Sequence, residues 1–434
     1  MVRLGEFHMT PLLVRVAAFL AAQFTGATSA QVVFVDWQAA PGGDGSSWSD
    51  AFDSLDDALD AAGSGDELWV RRGTYQPGSL FGRDSTFEIP GGVAVFGGFE
   101  GGETSRAQRD PQDNQTTLTG GGNLYSVVTI EQDGVTLDGF TITGGRADGF
   151  GTRDSSGAGV FVDSAAPTLR NLIIAGCEGV SNGAGIALNG VASSAAIVED
   201  CTFTDITGAF AFSASLPTLM DDCLFQDNDA GAMQLTGSDT HIVTDTDIRN
   251  NSGLIGTVSV QMSTQSGETV FDRCEFASND AVFAGGIRYN GLGTHEVRNS
   301  VFRGNGTSVG TGSGGAAIAM TSSNASVAFE NCLFTGNTHS GQGAAIRMDG
   351  DGTLFVIGCT ITGNSTTGPV GAGISVLDGS ANLFNTIVFG NAGGSGLTNE
   401  RVSVFVATGL DADADRCIIE FLGLGATSDL TATN

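Results

Sequence analysis

The feature that most constrains this chain is a short phrase that recurs along it from residue 142 onwards. The phrase is clearest as FENCLFTGN at residues 329–337, and related forms read DDCLFQDN, RCEFASN and IGCTITGN. Spacing runs from 22 residues (Phe203 to Phe225) to 32 residues (Ile142 to Ile174). A repeat of this length predicts a stack of similar units rather than independent domains. The aligned central residues are Ile142, Ile174, Phe203, Phe225, Ile248, Phe276, Phe302, Phe334, Ile361, Val388 and Ile419.

Two further apolar motifs lie between successive copies of the phrase. One places small residues before an apolar run, as in GAGIALN and GGAAIAM, and the other is a short alternating run such as VAFE. Alternation over a few positions predicts strands, because a helix would need apolar residues at three-to-four spacing over a longer stretch. Each unit therefore contains three short strands with turn residues between them.

Three such short strands cannot enclose a core, so each unit has to stack on the next. Strands must stay in register along the stack, and the variable spacing therefore falls in the turns. Leucine-rich repeats fit poorly because no Leu-x-x-Leu-x-Leu phrase occurs, and propeller units are longer and antiparallel. We predict an all-β fold: a single right-handed parallel β-helix with three short strands per coil, about 11 or more coils and a short N-terminal capping helix.

The Asn and Asp residues of the phrase are better explained by a structural role in turns and stacking than by a ligand site. Asn or Asp before the Cys slot suits a sharp corner with left-handed backbone angles. The closing Asn can stack its amide on the neighbouring coils. The Cys slot and the Phe share parity, so we expect both to face inward and the thiols to be mostly free. The corner residues are Asp200, Asp222, Asn299, Asn331 and Asn385, and the closing residues are Asn228, Asn279, Asn305, Asn337, Asn364 and Asn391.

The front of the chain differs from the repeats. An apolar stretch with nearby arginines and the small residues GATSA indicate a secretory signal, and SWSDAFDSLDDALDAAGSG predicts a helix capped by Ser49 or Asp50 and ended by Gly63. Its apolar face consists of Phe52, Leu55, Ala58, Leu59 and Ala62. DELWVRRGTY follows as the expected first coil strand. The predicted parts are a signal peptide at 1–30, an N-terminal cap at 31–65 and the right-handed parallel β-helix at 66–434.

Charge limits the possible partners. The formal net charge is −30, and all 18 basic residues are Arg. A chain this acidic is poorly suited to nucleic acid or to anionic lipid, which both attract Lys and Arg. After the predicted signal no segment has the length of apolar chain that spans a membrane. We therefore expect a secreted or cell-surface protein without a transmembrane segment.

The paired phrases GGAAI and FTGN resemble the GGA[ILV] and FxxN repeats of polymorphic outer membrane proteins. The leading block DGSSWSDAFDSLDDALDAAGSGDELWVRRGTYQP is similar to the start of many secreted bacterial right-handed parallel β-helix proteins, some of them named as pectate-lyase-like. Together these resemblances cover roughly residues 32–420. They imply the fold strongly and the activity weakly, because this architecture carries adhesins, passengers and carbohydrate enzymes.

Pectate lyases on this fold use clustered Asp to hold calcium and an Arg or Lys as base, so the outward positions of the GAGI strands are the place to look for a site. Those positions include no acidic residue, and the only cluster beside them is Arg288, Arg347 and Asp349. We take these three as catalytic candidates, with a solvated pair of arginines as the alternative. The predicted outward positions are Phe161, Ala187, Ser213, Gln234, Ser259, Arg288, Ala319, Arg347 and Ser375.

One further pattern could bind a metal. Asp411, Asp413 and Asp415 alternate in DADAD and could hold calcium from one strand face, although the Gly and Glu of a full calcium loop are missing. The alternative is an acidic solvated loop. No cofactor is required by the pattern, and calcium is the one candidate. The histidines are expected on turns, without a catalytic partner near them in sequence.

No catalytic constellation is evident in the sequence. We therefore interpret the chain as an exported, adhesin-like binding and structural module that meets a glycan or a protein at the cell surface through its variable turns. The alternative is a polysaccharide lyase or glycoside hydrolase, similar to pectate lyases, that acts on acidic glycans. Turnover of a polyuronate with calcium would favour the enzyme.

Overall fold

The computed structural model describes residues 31–307, 314–321, 324–341, 343–367, 371–393, 404–406, 411–419, 422–424 and 429–433. The predicted signal peptide, residues 1–30, lies outside these ranges. The fold is the predicted right-handed parallel β-helix, with about 11 coils. Every strand pairing among the described residues is parallel, which is the pattern expected when each coil hydrogen-bonds to the coil before and after it.

Three long sheets run along the stack, and a short fourth sheet lies beside them. Sheet I consists of Val32–Val35, Glu67–Arg71, Ala94–Phe99, Thr136–Asp138, Thr168–Arg170, Ala196–Glu199, Thr218–Asp221, Thr240–Thr244, Glu268–Asp272, Thr294–Arg298, Ser326–Glu330, Thr353–Ile357, Ser380–Phe384, Asp411–Asp415 and Asp429–Thr433. Sheet II consists of Gly73–Tyr75, Thr116–Leu124, Phe140–Ala147, Ile173–Ala175, Thr202–Thr204, Leu224–Gln226, Asp247–Arg249, Glu275–Ala277, Val301–Arg303, Leu333–Thr335, Thr360–Thr362, Ile387–Phe389 and Ile418–Ile419, with Glu178–Gly179 paired to its third strand.

Sheet III carries the strands that follow the GAGI-type motif. It consists of Phe87–Glu88, Val128–Ile130, Val160–Asp163, Ile186–Asn189, Phe212–Ala214, Met233–Gly237, Val258–Met262, Ile287–Tyr289, Ile318–Thr321, Ile346–Asp349, Ile374–Val376, Val404–Val406 and Leu422–Leu424. Sheet IV consists of Ser252–Gly253, Asp280–Ala281, Gly306–Thr307, Thr338–His339 and Ser365–Thr366. A typical coil therefore passes through sheets III, I and II in that order.

Helices are few and short. The α-helices of the described ranges are Leu55–Ala61 (α1) and Thr152–Ser155 (α2), and the 3-10 turns are Trp48–Asp50, Ser79–Asp84 and Arg106–Gln108. Within those ranges, none is long and apolar enough to cross a lipid bilayer. All five connect or cover strands.

Apolar side chains fill the inside of the stack. Phe302 lies between Phe276 and Phe334, with ring centroids 4.5 and 4.8 Å away and rings within 7° of parallel. Phe203 and Phe225 stack in the same way at 4.3 Å. These separations are close to the distance between neighbouring strands, so each ring packs on the equivalent ring of the next coil. The predicted inward column of Phe and Ile residues is therefore confirmed, and its phenylalanines are fully buried.

The corner between sheets I and II has the backbone angles that the sequence predicts. Each of the five predicted corner residues has a φ between 49° and 54°. The same left-handed conformation occurs at Arg273 and Arg416, where the sequence gives no Asn, Asp or Gly. A repeated left-handed residue turns the chain sharply without adding residues to the coil. The five predicted residues are Asp200, Asp222, Asn299, Asn331 and Asn385.

The closing asparagines form a continuous buried ladder, as predicted. In Asn305, Nδ2 donates to the side-chain oxygen of Asn337 at 3.0 Å and to the carbonyl of Phe276 at 2.9 Å. Asn251 belongs to the same ladder although it was not predicted, and it follows Ile248 at the spacing that Asn364 has from Ile361. The ladder runs through Asn228, Asn251, Asn279, Asn305, Asn337, Asn364 and Asn391.

The cysteines are free thiols, and all but Cys417 are buried. Their positions confirm the inward Cys slot: the Sγ atoms of Cys201, Cys332 and Cys417 lie 3.2 to 3.3 Å from the carbonyl oxygen two residues earlier. Burial raises the pKa of the Cys274 thiol to about 12. These cysteines therefore act as small core residues that return a weak hydrogen bond to the corner backbone.

The front of the stack differs from the prediction in two details. Ser54 caps α1, with its Oγ accepting from the backbone N–H of Asp57, so the predicted caps Ser49 and Asp50 are wrong. Val32–Val35 pairs with Glu67–Arg71 and is the first strand of sheet I, so DELWVRRGTY does not supply the first strand but contains the second strand of sheet I and the first strand of sheet II. The strand order differs from the prediction because a strand, Val32–Val35, precedes the helix. The helix covers this end with buried Leu55, Ala58 and Leu59.

Candidate functional site

The predicted outward positions of sheet III do form one column. Register partners run from Phe161 to Ala187 and onward through Arg288, Ala319 and Arg347 to Ser375. Their neighbours along each strand, such as Tyr289 and Met348, are buried in the core. Strand alternation therefore places this column on the outer face, as the sequence predicts.

Most positions of this outward column are covered by other parts of the chain. Residues of the column such as Ser259, Ala319 and Ser375 are fully buried. Part of the cover comes from the glycines before each strand: a Cβ added at Gly343 would lie 2.6 Å from the Cβ of Arg347, and one at Gly371 would lie 2.8 Å from that of Ser375. The turn that enters sheet III therefore folds back over its own strand.

The two arginines of the candidate cluster lie two rungs apart, with Ala319 between them. At a strand spacing of about 4.8 Å this puts their backbones roughly 10 Å apart. Arg288 donates from Nε to the hydroxyl of Thr321 at 3.0 Å, and its guanidinium lies 4.5 Å from the ring centre of Phe283. The structure therefore brings them to one strip but not into contact.

The charge of Arg347 is balanced by Asp349, two residues later in the same strand. Its Nε and Nη2 donate to Asp349 Oδ2 at 3.1 and 2.8 Å, and their side chains are only 12% and 22% exposed. A general base must be directed at the proton that it accepts, and the Arg347 guanidinium is instead directed at Asp349. Burial lowers the pKa of Arg288, which no carboxylate contacts in the described residues. The three candidates therefore consist of an ion pair between Arg347 and Asp349 and a separate, partly buried cation, Arg288.

Asp349 also borders an open cavity of about 590 Å³ at the turns that leave sheet III. Asp349 and Asp351 line it from one coil and Asp378 from the next, together with Asn324. Gly291, Leu292 and Gly350 complete the lining. Among the residues that the structure describes, no three acidic, His or Cys side chains are close enough together to hold a metal ion. We call these residues the Asp349 cavity.

The second predicted site lies at the far end of sheet I. Asp411–Asp415 is a strand, and buried Ala414 points inward, so Asp413 and Asp415 lie on the outer face. Asp413 is exposed, and Asp415 pairs with Arg416 at 3.4 Å. The side chain of Asp411 lies outside the described residues. Calcium at Asp411, Asp413 and Asp415 stays a prediction.

The expectation that the histidines lie on turns is wrong for the three that the structure describes. His241, His295 and His339 are strand residues and are buried. His295 Nε2 donates to the carbonyl of Leu292 at 3.1 Å, and its Nδ1 accepts from Thr269 at 2.9 Å. Their role is that of neutral core groups. His8 lies outside the described ranges.

The structure contains a second cavity that was not predicted from the sequence. It measures about 430 Å³ and lies where the first two coils turn from sheet I to sheet II. The residues that line it are Trp37, Gln38, Arg71, Arg72, Gly73, Asp113 and Gln115. These residues come from three separate segments, and no repeat phrase marks them. The one available signal was an isolated Trp in VDWQ.

Comparison with known proteins gives a fold and a family. The solved structure of pectate lyase Pel9A matches with a TM-score of 0.50 and 15% identity over 71% of this chain and 77% of that chain. The A-module of mannuronan C-5 epimerase AlgE4 from Azotobacter vinelandii matches at 0.46 and 12%, over 87% and 94% of the two chains. PfbA, a surface adhesin of Streptococcus pneumoniae, matches at 0.40 and 10%, over 88% of each chain.

At 15% identity, the match to pectate lyase Pel9A shows a shared fold and does not show a shared activity. No curated protein matches the chain significantly. The likeness to polymorphic outer membrane protein repeats stays a prediction. A family model described as "Right handed beta helix region" matches residues 125–327 and 258–409, which together make up more than half of the sequence. The chain therefore belongs to the right-handed beta helix family.

Proposed function

We propose that this chain is an exported β-helix that binds a glycan or a protein at the cell surface or outside the cell, with the Asp349 cavity as a contact site. The observation that carries the proposal is the state of the predicted catalytic strip. Most of its positions are covered, and Arg347 is paired with Asp349. A carbohydrate-cleaving centre needs an accessible acid or base, whereas a binding surface needs only fixed polar groups.

The chemistry of the cavity limits its ligand. Carboxylates of Asp351 and Asp378 line it within a chain of net charge −30. Ionised carboxylates only accept hydrogen bonds, so the ligand has to present hydroxyl or ammonium donors. Sugar hydroxyls and the basic side chains of a protein partner both satisfy this requirement. An anionic polyuronate is repelled unless a cation accompanies it.

Export is part of the proposal, because a surface ligand requires it. The sequence of residues 1–30 supports it, with small residues before Ala30. Expression of the full chain in a bacterial host with N-terminal sequencing of the secreted product tests it. We expect a mature protein that begins at Gln31. Retention of an uncleaved chain inside the cell would contradict export.

Binding is tested with the secreted chain immobilised and exposed to arrayed glycans and to bacterial surface proteins. We expect a ligand whose affinity falls at least about tenfold in Asp351→Asn and Asp378→Asn, since each change removes a charged acceptor. Asp229→Asn is the matched control, because Asp229 is an exposed carboxylate outside the cavity. Equal binding by all four proteins would contradict the role of the cavity.

The enzyme alternative has its own assay. The same protein is incubated with a polyuronate panel and calcium while unsaturated product is followed by its absorbance. We expect no turnover. Reproducible turnover that disappears in Arg288→Ala or Arg347→Ala would replace the binding proposal by a lyase.

A further inference from the structure

The second cavity contains an aromatic side chain that is both fixed and exposed. Trp37 is 49% exposed, and its Nε1 donates to the carbonyl of Arg72 at 3.2 Å. A Cβ added at Gly73 would lie 2.1 Å from that Nε1, so only glycine leaves room for the ring. The indole is therefore held in one orientation while about half of its surface faces solvent.

The position of Trp37 explains why the fold leaves this surface open. Trp37 follows Val32–Val35, the first strand of sheet I, whereas sheet II begins one coil later with Gly73–Tyr75. The described part of the first coil thus supplies no strand to sheet II, and the indole lies at the edge where that strand would run. Trp48 and Trp69, in contrast, are packed in an aromatic cluster with Phe34 and Phe99.

The polar groups around Trp37 offer both donors and acceptors. Gln38 and Gln115 contribute amides, Asp113 a carboxylate and Arg72 a guanidinium. The two arginines are already balanced: Arg71 pairs with Asp36 at 2.7 Å, and Arg72 pairs with Glu100 at 2.8 Å. Local charge therefore gives no preference for an anion, and the charge of the whole chain opposes one.

We propose that this second cavity, which we call the Trp37 cavity, binds a hexose unit of a neutral polysaccharide. Its volume of about 430 Å³ is within the usual range of small-ligand sites, roughly 300–1,000 Å³. The apolar C–H face of the sugar stacks on the exposed indole, which is a large and rigid contact surface. Sugar hydroxyls donate to Asp113 and the glutamine carbonyls, and accept from the amides and Arg72. This site is separate from the Asp349 cavity and does not rest on it.

The test uses the secreted chain and neutral hexa-oligosaccharides of glucose, mannose and galactose, with oligogalacturonate as the anionic comparison. Binding is followed by intrinsic Trp fluorescence and by calorimetry at concentrations up to about 10 mM. We expect at least one neutral oligosaccharide to bind saturably, with an affinity at least about tenfold weaker in Trp37→Ala and partly kept in Trp37→Phe. Gly73→Ala, which displaces the ring, should weaken binding as Trp37→Ala does.

Asp229→Asn is the control variant, and circular dichroism checks that every variant is folded. No binding of any neutral oligosaccharide, or binding that Trp37→Ala leaves intact, overturns the proposal. Tighter binding of oligogalacturonate overturns the neutral ligand class. Protein capture that depends on Trp37 without sugar binding overturns it in favour of a protein partner. Running Trp37→Ala and Asp351→Asn side by side in both assays separates a failure here from a failure of the Asp349 cavity.

Discussion

A buried asparagine in the ladder satisfies several polar groups with one side chain. Asn305 is fully buried, and its amide donates to Phe276 and Asn337 while its oxygen accepts from the backbone and side-chain N–H groups of Asn279. Buried polar groups are costly unless they are paired. Each rung therefore depends on the asparagine of the next, and the ladder links coils through side chains as well as through sheets.

Replacing Asn305 tests this dependence. We expect Asn305→Ala to lower the free energy of unfolding by about 3 kcal/mol or more, because it leaves the Asn279 N–H and the Phe276 carbonyl without these partners. Urea titration followed by circular dichroism measures the change. Asn385→Gly is the control: its left-handed φ of 51° is one that glycine adopts freely, so we expect little loss. Similar losses of unfolding free energy in both variants would show that the ladder contributes no more to stability than a corner residue does.

The buried histidines predict acid sensitivity. Burial lowers the pKa of His295 from 6.5 to about 4, and it lowers the pKa of His241 and His339 as well. The unfolded chain therefore takes up these protons at a higher pH than the folded chain, so this stability is complete above about pH 6.5 and is lost as the pH falls towards 4. In His295→Gln we expect the slope of unfolding free energy over that window to be shallower by up to about 1.4 kcal/mol per pH unit. An unchanged slope would contradict the assignment.

What the sequence reveals about single residues depends on whether they repeat. The corner and ladder residues were predictable because stacking forces equivalent residues into equivalent conformations. Asn251 was not predicted, although it follows Ile248 by three residues as Asn364 follows Ile361, so its place in the ladder could have been predicted from this spacing. The burial of His295 was not predicted either. This residue occupies an inward strand position where most coils have an apolar side chain, so the pattern gave no sign of a buried histidine.

At the scale of elements, the strands of sheet III could be predicted from the sequence, whereas the turns that bury their outer face could not. Alternation in IAM and IRM fixes which side chains face outward, and the register of Arg288, Ala319 and Arg347 agrees. Exposure of that face depends on the path of the preceding turn, as the contact of Gly343 with Arg347 shows. Turn paths depend on contacts between coils, which no single strand pattern encodes. The Trp37 cavity was hidden for the same reason, since it joins three segments.

The capping helix offers an element-scale prediction. Ser54 Oγ accepts from the N–H of Asp57 at 3.3 Å, so Ser54→Ala should destabilise α1 by about 1 kcal/mol. Hydrogen exchange of the helix amides is then expected to speed up about fivefold, with little change in sheet II. Ser49→Ala serves as the control, because Ser49 contacts Ser47 and Asp50 in the preceding turn. Faster exchange in the Ser49 variant than in the Ser54 variant would contradict the cap.

At the scale of the molecule, stability comes from repeated contacts between neighbouring coils. Phe276, Phe302 and Phe334 stack on one another, and the same coils share the asparagine ladder and the sheet hydrogen bonds. No coil contacts a distant one through these features. A protein built in this way should tolerate the loss of a whole coil, because the two new neighbours present the same surfaces that the lost coil presented.

Removal of residues 301–332 makes that prediction specific. Val301 is the register partner of Leu333, so joining Ser300 to Leu333 puts Phe334 directly beside Phe276 and Asn337 beside Asn279. We expect the shortened chain to be secreted, to keep a β-rich circular dichroism spectrum and to unfold cooperatively. Small-angle scattering should show a length shorter by about one strand spacing, roughly 4.8 Å.

A deletion that is longer by one residue is the matched control. Removing residues 301–333 joins Ser300 to Phe334 and shifts every following residue of that strand by one position. Since side chains alternate between the two faces of a strand, Phe334 then points to solvent and Thr335 points into the core. We expect this chain to aggregate or to remain unfolded, although it differs from the first deletion by a single residue. Equal behaviour of the two deletions would show that the stack does not depend on the inward register of its phenylalanines.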